Sequence, residues 1–550
     1  MNRNLCFIIV LISISIFISS CKDPLKSSVK PDMFTNVAEY LIAEYENNNT
    51  GGTPDKPTKL SMKIDIGSKD WEYFLETISY VDKFIELNLS DCTAEAAFHP
   101  GIFSTGKYYI VKLILPNTCT STADGTSNYP VFRNFTNLRE IKGVNIETLG
   151  NYSFQWAASL KKMEFPLLAY VGDYAFAYCS ELTNFIIPDT MTGIADGTFR
   201  NTALVSVTIP DNAASIGNYA FYQCEDLVDI HIPDGLSSIG NYAFSKCTSL
   251  TDITIPDGVT VFSEGIFSES GLASITIPNG VTSIGNLAFY KCINLGSIEI
   301  PVNVASIGSR AFSNTGITEA VIPDGVTLID NYTFTDCLKL YKAAIPDSVT
   351  SIGNNAFQNT SLSSIDIPDS VTKIGNYAFA QCIWITSVNI PNMVTSIGDF
   401  CFTGCTGLAG ITIPNSVESI GGAAFQDSGL SSVDIPKSVT RIQARTFKNS
   451  RLTGIIIPDS ITAIGDEAFA GCRNLASVTI PDSVSRIGSL AFADCTSLTT
   501  VNFESIVDIL NFADADSFPG DLHSKYFEAG GGPGIYTTAN PGNNAIWSKH

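Results

Sequence analysis

The chain has 550 residues, of which 54 are acidic and 32 are basic, so its formal net charge is −22 at pH 7. A surface this acidic repels phosphate backbones, which argues against a nucleic-acid-binding protein. The four histidines are scattered and form no partner pattern with a nucleophile or a base, and no Cys-x-x-Cys pair occurs. We therefore expect no enzyme, no metal site and no cofactor.

Residues 1–20 have the pattern of a secretory signal peptide. After Arg3, an apolar stretch from Leu5 to Ile18 is too short to span a membrane. It ends at Ile18-Ser19-Ser20-Cys21, an order that resembles the bacterial lipobox, whose cysteine carries the lipid. We predict that Cys21 is lipidated and that residues 21–58 are the lipid anchor and a polar tether. The alternative is an ordinary signal peptide in which Cys21 is incidental.

Residues 59–137 are expected to form an N-terminal cap with irregular first repeats. Trp, Phe, Leu and Ile have helical spacing between Lys69 and Ile78, and the segment from Phe84 to Leu89 alternates like a strand. A polar insertion from Thr118 to Tyr129 interrupts this part of the chain. Cys92 and Cys119 are the best candidates for a disulfide in an oxidising compartment, and the sequence leaves open whether they pair.

Residues 138–503 repeat a motif of 22 to 23 residues, LxxIxIPDxVxxIGxxAFxxCxxL. A fixed period of this length means one supersecondary unit copied many times, each copy burying its apolar face against its neighbours. The phase is marked by a phenylalanine ladder at positions 154, 176, 199, 221, 244, 267, 289, 312, 334, 357, 379, 402, 425, 447, 469 and 492. The sequence therefore predicts a solenoid.

Each position of the repeat has a physical interpretation. Aliphatic residues alternate with small polar ones before the proline, which predicts a half-buried strand that pairs in parallel with its neighbours. Pro-Asp then forms a turn, and the glycine of Ile-Gly permits a conformation or an approach that a Cβ would block. An asparagine often follows, suited to cap a short helical turn that carries Ala-Phe, at positions 218, 241, 286, 354 and 376.

Nine of the 14 cysteines lie three residues after the ladder phenylalanine. Where the cysteine is missing, the segment is commonly one residue shorter and carries Asn-Thr, as in Phe199-Arg200-Asn201-Thr202. This exchange is typical of an inward position where a small buried group or a backbone-bonding side chain fits. We expect buried free thiols, although disulfides between adjacent repeats are conceivable.

The last residues, 504–550, break the pattern as a capping unit should. The segment from Phe518 to Leu522 suggests a final turn. The segment from Tyr526 to Thr537 suggests a glycine-rich hairpin over the exposed end of the core.

Written out from Leu475 to Leu498, the repeat resembles the treponemal class of leucine-rich repeat found in BspA-like bacterial surface proteins. The resemblance implies an α/β-type repeat solenoid, curved and right-handed, with a parallel β-sheet on the concave face and short strands or helical turns on the convex face. It also implies a surface protein, often lipid-anchored, that adheres to host proteins and cells, and it implies no catalytic residues. With Cys21, it indicates an outer-membrane lipoprotein exposed on the cell surface.

One exposed residue at each strand centre is left free by the repeat pattern, and we call these residues the outward row. Solenoids commonly bind partners on this face. We therefore expect the row to bind a protein or glycan of a host or neighbouring cell, with the chain a monomer held to the membrane only by its lipid. The rival interpretation is a structural coat or spacer without a specific ligand. The row consists of Thr208, His231, Thr254, Thr276, Glu299, Val321, Ala344, Asp366, Asn389, Thr412, Asp434, Ile456 and Thr479.

Overall fold

A computed structural model describes residues 52–66, 69–81, 83–101, 105–507, 512 and 515–550. The signal peptide, Cys21 and most of the predicted tether lie outside these residues. The described residues fall into two compact units, one that ends at Ile230 and one that begins at His231. Among the described residues, no helix is both long enough and apolar enough to cross a membrane.

In the first unit a strand, Thr58–Ser61, precedes the predicted helix, α1, which spans Lys69–Val81. Its apolar face packs inward, because Trp71, Phe74 and Ile78 are almost completely buried. Asp70 and Glu72 lie in the first turn, where negative charge is favourable toward the helix dipole. The predicted strand is also confirmed, at Ile85–Asn88.

Two parallel sheets hold the first unit together. The larger sheet has the strand order Thr58–Ser61, Ile85–Asn88, Ile110–Ile114, Glu140–Lys142, Lys162–Glu164. The smaller sheet has the order Ala97–Phe98, Ser121–Thr122, Thr148–Leu149, Tyr170–Val171. A 3-10 helix spans Thr105–Tyr109, and three further strands are Ser206–Thr208, Ser215–Ile216 and, at the boundary of the units, Asp229–His231.

In the second unit, the strands before the proline pair in parallel but in short runs. Glu319 pairs with Lys342, Ser387 with Gly410, and Ser477 with Thr500, each partner 23 residues further along the chain. Elsewhere in this unit isolated bridges, such as Asp434 to Ile456 and Ile365 to Val388, replace runs of paired residues. The strands before the proline therefore form several short sheets. These strands are Glu319–Val321, Lys342–Ala344, Ser387–Asn389, Gly410–Thr412, Ser477–Ile480 and Thr500–Phe503.

A second set of parallel strands, only two residues long, precedes the Ile-Gly glycine. Their isoleucines align directly, as Ile284 does with Ile307 and Ile397 with Ile420. These strands are Ser238–Ile239, Val261–Phe262, Ser283–Ile284, Ser306–Ile307, Leu328–Ile329, Ser351–Ile352, Lys373–Ile374, Ser396–Ile397, Ser419–Ile420, Arg441–Ile442, Ala463–Ile464 and Arg486–Ile487. The glycine that follows lets the backbones approach, since a Cβ on Gly375 would lie 2.7 Å from the backbone nitrogen of Asn354.

The Ala-Phe segment is a turn rather than a helix. Two left-handed residues four positions apart flank it, for example Tyr377 with φ 56° and Gln381 with φ 62°. In this conformation the N–H groups of the turn face the next repeat. The amide of Phe379, for example, donates to the carbonyl of Cys401 at 2.9 Å. Left-handed residues other than glycine cost about 1–2 kcal/mol each, and the bonds between repeats offset that cost.

The asparagine after Ile-Gly bonds to the neighbouring repeat instead of capping a helix. Oδ1 of Asn331 accepts from the amide of Asn354, and Oδ1 of Asn354 accepts from the amide of Asn376, both at 2.8 Å. We call these side-chain bonds rungs. They satisfy backbone donors that would otherwise face solvent.

The phenylalanine ladder forms the core of the second unit. Phe289 stacks between Phe267 and Phe312 at centroid distances of 5.7 and 5.4 Å, and all three rings are completely buried. The stack ends with Phe518, 4.6 Å from Phe492.

The C-terminal residues close the core. A 3-10 helix, Ala515–Ser517, precedes helix α2 at Leu522–Phe527. Gly534–Thr537 then pairs antiparallel with Thr500–Phe503, with buried Tyr536 opposite Val501. Ser548–Lys549 extends the sheet by pairing antiparallel with Gly534–Thr537.

Replacing Phe289 with Ala should lower the free energy of unfolding by about 3–5 kcal/mol, because the missing ring leaves a cavity in the stack. Thr276→Ala, at an exposed position before Pro278 in the same repeat, should change it by less than about 0.5 kcal/mol. Urea unfolding of both variants measures the difference. Equal destabilisation by the two changes would show that the inward and outward phases of the repeat are misassigned.

Candidate functional site

Every member of the outward row is exposed. In the second unit the flanking aliphatic residues are buried or half-buried, as Ile277 and Ile275 are beside Thr276 and Val478 is beside Thr479. The predicted strand phase is therefore confirmed, and the role of the row in binding stays a prediction. Exposed apolar members, Val321 and Ile456, lie among the acidic members Glu299, Asp366 and Asp434.

A second exposed column, not predicted from the sequence, lies two residues before the outward row. At Glu319 and Lys342 it carries an ion pair of 3.6 Å, and the hydroxyl of Tyr341 donates to Oε1 of Glu319 at 2.5 Å. The Tyr341 hydrogen bond and the Lys342 charge lower the pKa of Glu319. The period of two that located the outward row would also have located this column.

The corresponding face of the first unit is occupied by internal ion pairs. Nζ of Lys112 lies 3.3 Å from Glu86 and 3.4 Å from Glu140. Lys162 and Lys142 both contact Glu164, and their hydrogen bonds lower the pKa of that carboxyl to about 2. Because these charges neutralise one another, this face has less unpaired charge to offer a partner than the outward row of the second unit.

The cysteines among the described residues are free and buried, as predicted for the ladder positions. The thiol of Cys292 donates to the carbonyl of Phe267 in the preceding repeat at 3.0 Å. Where a repeat lacks the cysteine, a hydroxyl replaces it, as Thr315 does by donating to the carbonyl of Phe312. Cys92 and Cys119 are also free, each donating to a backbone carbonyl at 3.3 Å.

Burial makes these thiols poor nucleophiles. It raises the pKa of Cys292 to about 12 and that of Cys337 to about 11, although hydrogen bonds with Ser270 and Thr315, respectively, act in the opposite direction. A thiol with such a pKa is protonated at neutral pH, and the thiolate is the reactive form. The cysteine positions are therefore structural.

The histidines occupy separate environments. His231 is exposed in the outward row, and His99 accepts a hydrogen bond from the amide of Gly101 through Nδ1 at 3.1 Å. His523 packs against Phe512, and Nε2 of His550 lies 2.6 Å from the hydroxyl of Thr537. Within the described ranges, no group of three or more His, Cys, Asp or Glu side chains could hold a metal ion.

Parallel strands, a buried phenylalanine ladder and an exposed outward row define a leucine-rich-repeat solenoid. The sequence profile of the BspA type leucine rich repeat region matches residues 102–228, 214–341, 327–453 and 440–514. The chain belongs to this family, which confirms the resemblance found in the repeat. Repeat proteins of this type are generally surface-associated and typically non-enzymatic.

The chain is similar to several solved structures. A leucine-rich repeat protein from Bacteroides ovatus is 26% identical over 66% of this chain and 83% of that chain, with a TM-score of 0.44. A leucine rich cell surface protein from Faecalibacterium prausnitzii is 29% identical over 54% and 87%, with a TM-score of 0.37. A T. pallidum leucine rich repeat protein is 24% identical over 44% and 84%, with a TM-score of 0.20. No curated protein matches the chain.

Proposed function

We propose that this protein is a non-enzymatic surface lipoprotein that binds a protein or glycan of a host or neighbouring cell through its outward row. Cys21 would carry the lipid and residues 21–58 would hold the repeats away from an outer membrane. The protein would act as a monomer.

The observation that carries the proposal is the contrast between buried and exposed positions of the strands. The buried positions are almost uniformly Ile or Val, whereas the exposed centres in the second unit change from repeat to repeat. A scaffold alone needs only the buried pattern. Unpaired acidic residues beside exposed apolar ones give a surface that can complement a particular partner.

A structural coat or spacer is the second candidate function. It is supported by the repeat itself, because the buried residues pack in the same way whichever side chains the exposed positions carry. The two candidates differ in one respect, because only a binding protein is sensitive to the charge of the outward row.

Changing Glu299, Asp366 and Asp434 together to Lys should reduce binding at least about tenfold, since each reversed charge opposes a complementary partner. A matched control changes the exposed turn residues Asp257, Asp369 and Asp459 to Lys, which alters the net charge equally. The measurement is adhesion of beads coated with each chain to epithelial cells and to neighbouring bacterial cells, with thermal unfolding to verify the fold.

Unchanged adhesion of the first variant, or an equal loss in the control, would place the binding site elsewhere on the protein. If beads coated with the unaltered chain adhere to nothing, the coat interpretation replaces the binding one.

The anchor has its own test. Cys21→Ala should abolish labelling by radioactive palmitate and move the protein out of the detergent phase, because no acyl chain remains to bury. Cys6→Ala, within the signal peptide, should leave both readouts unchanged. Full labelling of the Cys21 variant would refute lipidation at this residue.

A further inference from the structure

A groove of about 500 Å³ lies in the second unit beside the residues that follow Ile-Gly. Its floor is made of Gly422, Ala423 and Ala444, where other repeats hold an asparagine rung or a tyrosine. The groove therefore exists because the rung side chains of two consecutive repeats, at Gly422 and Ala444, and the aromatic side chain at Ala423 are missing from an otherwise regular surface.

The missing rungs leave backbone donors in the groove. Gly422 and Ala444 have no side-chain oxygen, and among the described residues the amides of Ala444 and Asp466 have no hydrogen-bond partner. By contrast, the amide of Gly422 donates to Oδ1 of Asp399 at 2.8 Å, and the amide of Ser489 donates to Oδ1 of Asp466 at 3.0 Å. Two N–H groups are thus available to a ligand.

One wall of the groove is aromatic. Phe400 is half-buried and stacks on Tyr377 with a centroid distance of 4.6 Å and nearly parallel rings. The next position in that stack is Ala423, so the stack ends at Phe400, which lines the groove. A flat apolar face at this point could continue the stack.

The groove is acidic. Oδ1 of Asp399 and of Asp466 each accept a backbone bond, and in the described part of the chain Oδ2 of both has no partner. Arg445 does not compensate these charges, because Glu467 holds it at 2.6 Å, and Lys448 also bonds to Glu467. An anionic ligand is disfavoured here. The acidic residues are also too few and too dispersed to form a metal site.

We propose that this groove binds the terminal pyranose ring of a neutral glycan. The C–H face of the sugar packs on Phe400, its hydroxyls donate to Oδ2 of Asp399 and Asp466, and its oxygens accept from the amides of Ala444 and Asp466. A saccharide combines one apolar face with alternating donors and acceptors, which is the combination that these residues present. The site is separate from the outward row and goes beyond the proposed function.

Calorimetric titration of the full chain with the methyl glycosides of glucose, galactose, mannose and N-acetylglucosamine tests the site. At least one should bind with a dissociation constant on the order of 1 mM, the strength expected of a single shallow contact. Glucuronic acid and sialic acid should not bind. Phe400→Ala should weaken binding at least about tenfold.

Ala444→Asn is the sharper variant, because it fills the groove with the residue that other repeats hold and so should preserve the fold. It should abolish sugar binding without lowering the melting temperature. Tyr332→Ala removes an aromatic residue at the equivalent position of a repeat without this groove, and it should leave binding unchanged.

The triple Lys variant of the outward row should also bind the sugar normally, so that failure of one proposal is distinguishable from failure of the other. The sugar site is refuted if no neutral glycoside shows binding at ligand concentrations up to about 100 times the expected dissociation constant. It is equally refuted if Ala444→Asn binds like the unaltered chain.

Discussion

Burial of the ladder phenylalanine is the interaction on which the rest of the structure depends. A repeat of 22 to 23 residues is too small to enclose this ring, so the ring becomes fully buried only when the next repeat stacks on it. Stacking brings equivalent backbone groups of successive repeats within hydrogen-bond distance at the strand, at the Ser-Ile pair and at the Ala-Phe turn. These bonds in turn stabilise left-handed residues such as Tyr377, which an isolated repeat would not retain.

The same constraint separates structural from functional positions. Residues that touch the ring or the rungs are restricted, whereas the outward row changes freely because nothing inside the repeat depends on it. The groove at Ala444 arises differently, since there the rungs themselves are lost. The stack tolerates that loss because Phe425 and Phe447, in the repeats of Gly422 and Ala444, remain 5.7 Å apart and buried. Structure and surface chemistry can therefore vary independently along the chain.

Patterns of burial were predictable from the sequence, whereas backbone paths between repeats were not. The period of two located the exposed side of each strand, and the spacing of apolar residues located α1. The replacement of cysteine by threonine three residues after the ladder phenylalanine correctly predicted that this position is buried. The backbone path of the Ala-Phe turn was harder to predict, because Ala favours a helix locally and only contacts with the next repeat impose the left-handed residues. The groove was not predictable for a related reason. It follows from the missing rungs at Gly422 and Ala444, and a rung is a bond between repeats that only the structure shows.

Native-state hydrogen exchange tests the central claim that stacking, and not local helix formation, holds the Ala-Phe turns. The amides of Phe334 and Phe357 donate to the following repeat at 2.8 Å. They should exchange at least about 100-fold more slowly than the exposed turn at Asp369, as expected of amides that open only with the surrounding repeats. Exchange of both phenylalanine amides at the rate of that exposed turn would contradict the account.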